Sequence, residues 1–237
     1  MKLIYEGHAC FRIQSEGKEI IIDPYISGNP LAGKKAAEFK PDLILLTHGH
    51  GDHLGDALTM ARSNHATLAA QVDLLNALDL QGIDNVAFNL GGSFDFAPFK
   101  ITMVPAWHGS TVSSAAGPLY GGVACGYIID DGQKKVYHAG DTSLFGDMGM
   151  VISRYGIDCA LLPIGGFYTM GPEDAVTAAD WLKADIVIPM HYNTFPVIKQ
   201  DPQQFKQAVE AQTTAQCVVL STGDELDLCL LYTSRCV

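Results

Sequence analysis

The sequence predicts an α+β protein in which two β-sheets pack against each other and helices lie on the outside. Short apolar runs rich in β-branched residues recur along the chain and have the length of strands. Strands dominate the early part of the chain, and segments with helical periodicity separate the later ones. This order of elements favours two packed sheets with helices on their outer faces.

The predicted strands are short apolar runs between polar or glycine-containing turns. In chain order they cover residues 2–5, 11–13, 19–22, 43–47, 67–69, 101–104, 126–129, 135–138, 159–162, 186–189 and 217–220, with a further strand-like segment at 225–228.

The predicted helices show apolar residues at a period near 3.6. They cover residues 55–63, 72–80, 145–155, 172–183 and 202–211. The clearest helix start is at Pro172, because proline favours the first helical position and Glu173 and Asp174 place two acids in the first turn.

The chain of 237 residues has the length of one large domain, and we expect that domain to span residues 1–228. No linker or repeat divides it. The last nine residues, 229–237, fit no periodic pattern. We expect them to lie outside the working fold, as a non-native or disordered tail of vector-derived or read-through origin.

The composition is that of a globular enzyme, with 48% apolar and 17% charged residues. Its longest apolar runs fall far short of the roughly 20 residues that span a bilayer. Glu6 and His8 interrupt the N-terminal apolar run, so it lacks the core of a secretion signal. We therefore expect a cytoplasmic protein whose cysteines are reduced, with no disulfide framework.

The net charge of −11 disfavours binding to polyanions. Lys34, Lys35 and Lys40 form the only loose basic cluster in the sequence, and no aromatic residues interleave with it. A nucleic-acid partner is therefore not expected. The sequence leaves the oligomeric state open, including a homo-oligomer.

The segment 47–53 carries the strongest functional signal. His48, His50, Asp52 and His53 place four metal-binding side chains within six positions, directly after the apolar run 43–46. Imidazole and carboxylate ligands without thiolate suit zinc, manganese or iron, and such a site open to water is typical of catalysis. The sequence therefore predicts a catalytic metal site.

Three more metal-binding side chains follow later predicted strands. His108 comes after the strand at 101–104, Asp141 after 135–138 and His191 after 186–189. A site with two metal ions needs about six or seven ligands, which this set supplies. We expect loops at one edge of the sheets to bring these residues together.

The ordered pattern His-x-His-x-Asp-His, then His, Gly-Asp-Thr and a late His, resembles the metallo-β-lactamase superfamily over about residues 20–223. That resemblance implies an αββα sandwich. Further motifs at residues 138–142, 162–165, 169–175 and 189–196 are similar to a prokaryotic branch of metal-dependent hydrolases related to ascorbate-6-phosphate lactonase. The branch commonly has an Asp-Asn pair where this chain has Gly165 and Gly166.

The resemblance also implies a ligand assignment with two divalent metal ions. Zinc is the expected metal, with manganese, iron and nickel as alternatives. One ion would bind His48, His50 and His108, the other Asp52, His53 and His191, and Asp141 would bridge them.

Other polar residues are expected to support the ligands. Asp23 matches a superfamily aspartate that accepts a hydrogen bond from a ligating imidazole, although its position before Pro24 also suits a turn. His138 and His8 are expected to orient ligands or to be ordinary hydrogen-bonded histidines. His65 is expected to be solvated.

The predicted reaction is hydrolysis by a hydroxide that bridges two metal ions, with Asp52, Asp141 and His191 as the catalytic residues and Asp52 taking a proton after attack. There is no Gly-x-Ser-x-Gly motif, and Cys10, Cys125, Cys159 and Cys217 lie in apolar strand-like segments where a thiol is expected to pack in the core. A protein nucleophile is therefore not expected.

We expect a small-molecule substrate, and a carboxyl ester or lactone is the leading class. A small phosphodiester is the alternative, and redox chemistry at a diiron site is a third possibility. Aromatic neighbours of the ligands are expected to line an apolar pocket or to pack in the core. The candidate substrate contacts are Trp107, Tyr168, Tyr192 and Asn193, with Phe167 and Phe195 as further pocket candidates.

Overall fold

The computed structural model describes residues 1–229, so residues 230–237 of the predicted tail lie outside the described residues. In chain order the strands are β1 (Lys2–Gly7), β2 (Cys10–Ser15), β3 (Lys18–Ile22), β4 (Leu43–Leu45), β5 (Thr67–Gln71), β6 (Asn85–Phe88), β7 (Ser93–Phe96), β8 (Phe99–Pro105), β9 (Thr111–Ser114), β10 (Gly117–Tyr120), β11 (Cys125–Asp130), β12 (Lys135–His138), β13 (Cys159–Pro163), β14 (Ile186–Met190), β15 (Gln216–Cys217) and β16 (Glu225–Asp227).

Helices connect the strands, chiefly where neighbouring strands run parallel. They are α1 (Gly51–Leu54), α2 (Ala57–Asn64), α3 (Val72–Asn76), α4 (Asp147–Met150), α5 (Pro172–Leu182) and α6 (Pro202–Gln212), with 3₁₀ turns at Ala36–Glu38, Ile152–Tyr155 and Pro196–Ile198. In the described part of the chain, no helix combines the length and apolarity needed to cross a bilayer.

Two seven-stranded mixed sheets form the centre of the fold. The first has the order β16-β1-β2-β3-β4-β5-β6 and the second the order β15-β14-β13-β12-β11-β8-β7. Strands β9 and β10 form a separate two-stranded ribbon. The predicted α+β sandwich is thus confirmed.

The first sheet is covered on both faces, and alternate side chains of its strands pack on opposite faces. On β3, Ile20 and Ile22 belong to the core cluster that also contains residues of the second sheet, whereas Ile21 packs in a second cluster with residues of α2 and α3. Leu45 and Ile44 of β4 divide in the same way. Successive side chains of a strand point to opposite faces, so these runs are apolar throughout.

The strand directions bring several chain segments to one edge of each sheet. Strands β1 and β3 are each antiparallel to β2, and β4 is parallel to β3, so all three end at the same edge. In the second sheet, β8 and β12 are each antiparallel to β11, and β12, β13 and β14 are parallel. The loops after β8, β12 and β14 therefore also share an edge, and they carry the predicted ligands.

Some local predictions were wrong. The predicted helix at 145–155 is a short helix, α4, followed by a 3₁₀ turn, and Gly146 and Gly149 lower helix propensity within that segment. The predicted strand at 217–220 pairs only over β15, and β6, β7, β9 and β10 were not predicted. These missed strands have four residues each, too short for a clear periodic signal.

Candidate metal centre

The loop after β4 and the short helix α1 place the first four candidate ligands. His50 adopts an extended backbone conformation as the N-cap of α1, and the chain then turns so that His53 lies beside His48. The imidazoles of His48 and His53 lie with their centroids 4.1 Å apart, and both residues are fully buried. The contiguous sequence motif thus becomes a compact group of side chains.

Three imidazole nitrogens form the first donor group. The Nε2 atom of His48 lies 3.0 Å from Nδ1 of His50, and Nε2 of His108 lies 3.2 Å from the same Nδ1 atom. His108 reaches this group from the loop after β8. Three imidazoles whose nitrogens converge in this way could hold a metal ion.

The second donor group combines a carboxylate with imidazoles. Asp52, His53 and His191 have donor atoms within 4.8 Å of one another, and His8 belongs to the same group. The Nε2 atom of His191 is 3.9 Å from Oδ2 of Asp52. His191 comes from the loop after β14 and adopts a left-handed backbone, with φ 54°.

Asp141 connects the two groups through a single carboxylate oxygen. Its Oδ2 atom lies 3.0 Å from Nε2 of His191, 3.3 Å from Nε2 of His53 and 3.6 Å from Nε2 of His108. The preceding residue, Gly140, has φ +63°, and a Cβ added there would approach the carbonyl oxygen of Cys125 to 2.5 Å. Glycine at 140 therefore allows the turn that points Asp141 into the site.

Buried polar atoms without partners indicate that the site fits metal ions. Among the described residues, Nε2 of His53, Nε2 of His191 and Oδ1 of Asp141 are buried and make no hydrogen bond. Buried polar groups are normally paired, because desolvation without a partner is costly. Convergent unpaired nitrogens and carboxylate oxygens are the arrangement that divalent cations satisfy.

Asp23 orients His53 and the neighbouring loop through hydrogen bonds. Its Oδ2 atom accepts hydrogen bonds from Nδ1 of His53, at 2.7 Å, and from Oγ1 of Thr47, at 2.6 Å. Its Oδ1 atom accepts from the backbone N–H of Thr47, at 2.8 Å. The bond to Nδ1 leaves Nε2 of His53, which lies 3.3 Å from Oδ2 of Asp141, as the nitrogen that can bind a metal ion.

Burial and close charges shift the protonation of these groups. Burial alone raises the pKa of the Asp141 carboxyl, but the adjacent His191 and His53 outweigh it and hold that pKa well below its usual range. Burial lowers the pKa of His53, but Asp141 and Asp23 raise it well above its usual range. Burial and the nearby His53 keep the pKa of His48 well below the ordinary value. Asp141 and His53 thus stabilise each other's charged forms.

A cavity of about 610 Å³ opens directly onto the two donor groups. Its floor contains candidate ligands of both groups. Its walls are largely apolar, and the described lining residues include neither lysine nor arginine. The lining residues are Tyr25, His50, Gly51, Asp52, His108, Asp141, Tyr168, His191, Phe195 and Val197.

One of the four candidate substrate contacts is found in the described lining of the cavity. Tyr168 lines the cavity, whereas Trp107, Tyr192 and Asn193 are absent from its described lining. Trp107 is 68% exposed, and the side chain of Tyr192 packs in the main core cluster. Asn193 has φ 60°, and its Oδ1 atom accepts a hydrogen bond from the backbone N–H of Gln200.

Two wall residues, Tyr25 and Val197, were not predicted from the sequence. Tyr25 follows the Asp23-Pro24 turn, and its hydroxyl donates to the carbonyl of Gly28, at 2.6 Å. Val197 lies in the 3₁₀ turn Pro196–Ile198. Neither position carries a chemical signal in the sequence, because only the packing of separate loops brings them to the cavity.

His138 and His8 both lie in the network around the site. Nε2 of His138 donates to the carbonyl of Ala9, at 2.8 Å, and its Nδ1 atom accepts from the N–H of Gly140, at 3.1 Å. His138 thus contacts the backbone beside Asp141 rather than a ligand side chain. Burial lowers the pKa of His8 to about 4, so its imidazole is neutral at pH 7.

Comparison with known proteins identifies the family of this chain. The family described as the β-lactamase superfamily domain matches residues 2–191. The chain belongs to the β-lactamase superfamily. Membership of the β-lactamase superfamily confirms the resemblance predicted from the histidine and aspartate motifs. The narrower link to ascorbate-6-phosphate lactonase stays a prediction.

Within the superfamily, the chain is similar to proteins named UPF0173 metal-dependent hydrolase. The one from Pelotomaculum thermopropionicum is 48% identical over 229 residues, which cover 96% of this chain and all of the relative. Another from Desulforamulus reducens is 46% identical with the same coverage of this chain. The structure of a novel metallo hydrolase from the archaeon Ignicoccus hospitalis has a TM-score of 0.84 at 40% identity, covering 95% of this chain and 97% of that one.

Proposed function

We propose that this protein is a metal-dependent hydrolase with two divalent ions, which cleaves carboxyl esters or lactones. The observation that carries the proposal is the meeting of two donor groups at Oδ2 of Asp141, on the floor of a cavity with apolar walls. The names of its relatives support metal-dependent hydrolysis as the general activity.

The donor set identifies which residues would hold the ions. His48, His50 and His108 form one group, and Asp52, His53 and His191 form the other, with Asp141 between them. Two divalent ions in such a site supply an acidified water and electrostatic stabilisation of the oxyanion that develops during attack. Zinc is the proposed metal because imidazole and carboxylate are among its usual ligands.

The chain's own residues perform the remaining tasks. Asp52 lines the cavity and its side chain is 27% exposed, so its carboxylate can meet both water and substrate. Burial raises the pKa of Asp52, but the hydrogen bond from His8 and the nearby His53 outweigh burial and leave it below the usual range. The carboxylate is therefore ionised at neutral pH. We assign it the proton released on attack and its transfer to the leaving oxygen.

The cavity walls favour an uncharged carbonyl substrate. Tyr25, Phe195 and Val197 provide apolar surface beside the metal positions, and Tyr168 adds a phenol at the rim. Phosphoryl groups are commonly bound by Arg or Lys, and none lines the described part of this cavity. These features support an ester or lactone over the phosphodiester alternative, since dinuclear sites as such are used for both reactions.

Paired initial rates test the proposal. Metal-reconstituted protein is assayed on a simple carboxyl ester, a lactone and an aryl phosphodiester, before and after chelation. We expect ester or lactone cleavage to be faster, to stop on chelation and to return on adding zinc. His108→Ala should lose this activity, and His65→Ala, at an exposed position, should retain it. Faster phosphodiester cleavage, or hydrolysis that chelation leaves intact, would contradict the proposal.

A further inference from the structure

His8 is held in one position by its backbone and its neighbours. It lies in the turn between β1 and β2, has φ 57° and is fully buried. Its carbonyl oxygen accepts hydrogen bonds from the N–H of His191, at 2.8 Å, and from the hydroxyl of Tyr5, at 3.1 Å. A left-handed backbone is unfavourable at a non-glycine residue, so these contacts must hold the turn in place.

The imidazole of His8 joins two loops of the metal centre. Its Nδ1 atom lies 2.9 Å from Oγ1 of Thr194, and its Nε2 atom lies 3.2 Å from Oδ2 of Asp52. A carboxylate oxygen only accepts, so Nε2 carries the hydrogen in the neutral ring. Nδ1 then accepts from the hydroxyl of Thr194. The hydroxyl thereby stabilises the tautomer that donates to Asp52.

Aromatic rings enclose the His8 imidazole and restrict its rotation. The centroid of His191 lies 4.0 Å away, that of Phe195 5.5 Å and that of Tyr25 5.7 Å. The ring therefore presents Nε2–H to Asp52 as a fixed donor.

The Asp52 carboxylate has little else to orient it. It sits on a four-residue helix and is partly exposed. Among the described residues, His8 is the one side chain that makes a hydrogen bond to it, since Nε2 of His191 is 3.9 Å away. A carboxylate on so short a helix, open to water on one side, can adopt other rotamers unless a neighbour holds it.

We infer that His8 is a positioning residue for the second metal ion: with Thr194, it holds the Asp52 carboxylate toward His53 and His191 without itself acting as a ligand. The position of Asp52 in the second donor group thereby depends on Thr194 and on His8, which lies in the turn after β1. The first group, His48, His50 and His108, does not use this contact.

Metal titration of matched variants tests the inference. His8→Phe keeps an aromatic ring but removes the donor, whereas His8→Gln retains an N–H that can reach Asp52. Metal-free protein is titrated with zinc by calorimetry and by chelator competition. We expect two binding steps in the parent protein, one for each donor group. His8→Phe should reduce the affinity of one of them, here called the second step, by about 10–100-fold, the range for lost partners of metal ligands. His8→Gln should recover most of that affinity, and the other step should stay unchanged.

A second pair covers the case in which His8→Phe does not fold. Thr194→Val removes the hydroxyl that donates to Nδ1 of His8, and Thr194→Ser keeps it, so only the valine variant should weaken the second step. His65→Phe, at an exposed position, is the control for loss of a histidine. An unchanged second step in His8→Phe, or in Thr194→Val if that is the variant that folds, would overturn the role of His8.

The inference rests on the proposed metal centre, and the titration separates the two. A parent protein that binds fewer than two zinc ions would contradict both the dinuclear function and the role of His8. A parent protein that binds two ions, with His8 variants that bind them equally well, would leave the proposed function intact and refute only the role of His8.

Discussion

Replacing Asp23 by Asn changes one buried atom and should affect both folding and the second metal ion. The carboxylate accepts three hydrogen bonds, from Nδ1 of His53 and from the hydroxyl and N–H of Thr47. An amide has one oxygen and one NH₂ group. If the NH₂ faces the backbone of Thr47, two donors meet. If it faces His53, the imidazole must accept at Nδ1 and carry its hydrogen on Nε2, the nitrogen that faces Asp141.

The expected magnitudes follow from these contacts. Losing the charge-assisted bond to His53 should lower the free energy of unfolding of the metal-free protein by about 1.5–3 kcal/mol. The tautomer of His53 with its hydrogen on Nε2 should lower the affinity for the second metal ion by about 10–100-fold. The ion at His48, His50 and His108 should be affected much less.

Two assays on the same preparations test this prediction. Urea unfolding of metal-free protein gives the stability change, and zinc titration gives the two affinities. Asp95→Asn is the matched control, since Asp95 is exposed on β7. Full stability and parent-like binding of both ions in Asp23→Asn would refute the reasoning about the tautomer of His53.

Four further changes have defined outcomes. Asp141→Ala should remove at least one metal ion and most turnover, and elemental analysis showing two ions with full activity would overturn the bridging role of Asp141. Chelation should lower the melting temperature, because an ion that binds only the folded state at 100 times its Kd adds about 2.7 kcal/mol; an unchanged melting curve would contradict this. Burial raises the pKa of Asp131, but hydrogen bonds from the backbone N–H of Lys134 and the hydroxyl of Ser15 outweigh burial and lower that pKa below its usual value. The stability that the carboxylate adds is therefore present above its unfolded pKa and lost as pH falls. The loss of stability caused by Asp131→Asn, measured by urea unfolding, should shrink from pH 6 to pH 3.5, and a loss that stays constant would count against this reasoning. In native alkylation mapped by mass spectrometry, buried Cys159 should stay unmodified while exposed Cys229 reacts, and rapid labelling of Cys159 would argue against the core packing.

The candidate ligands could be predicted from the sequence because their chemistry and their positions coincide. His48 to His53 form one contiguous motif, and His108, Asp141 and His191 each follow a strand whose end was recognisable. Parallel directions then bring those ends to one edge without any long-range detail.

The cavity walls and the contacts of His8 could not be predicted in the same way. Tyr25 reaches the cavity because the loop after β3 packs beside the end of α1, where the backbone N–H of Asp56 donates to the carbonyl of Pro24. His8 meets Asp52 and Thr194 across separations of 44 and 186 residues. Such contacts arise from tertiary packing and leave no local periodic signal.

A crystal structure of zinc-loaded protein, with anomalous scattering measured at the zinc edge, tests the central claim most directly. The account predicts two peaks, one among His48, His50 and His108 and the other among Asp52, His53 and His191, with Asp141 in contact with both. A single peak at full zinc occupancy, or peaks away from these side chains, would contradict the dinuclear site.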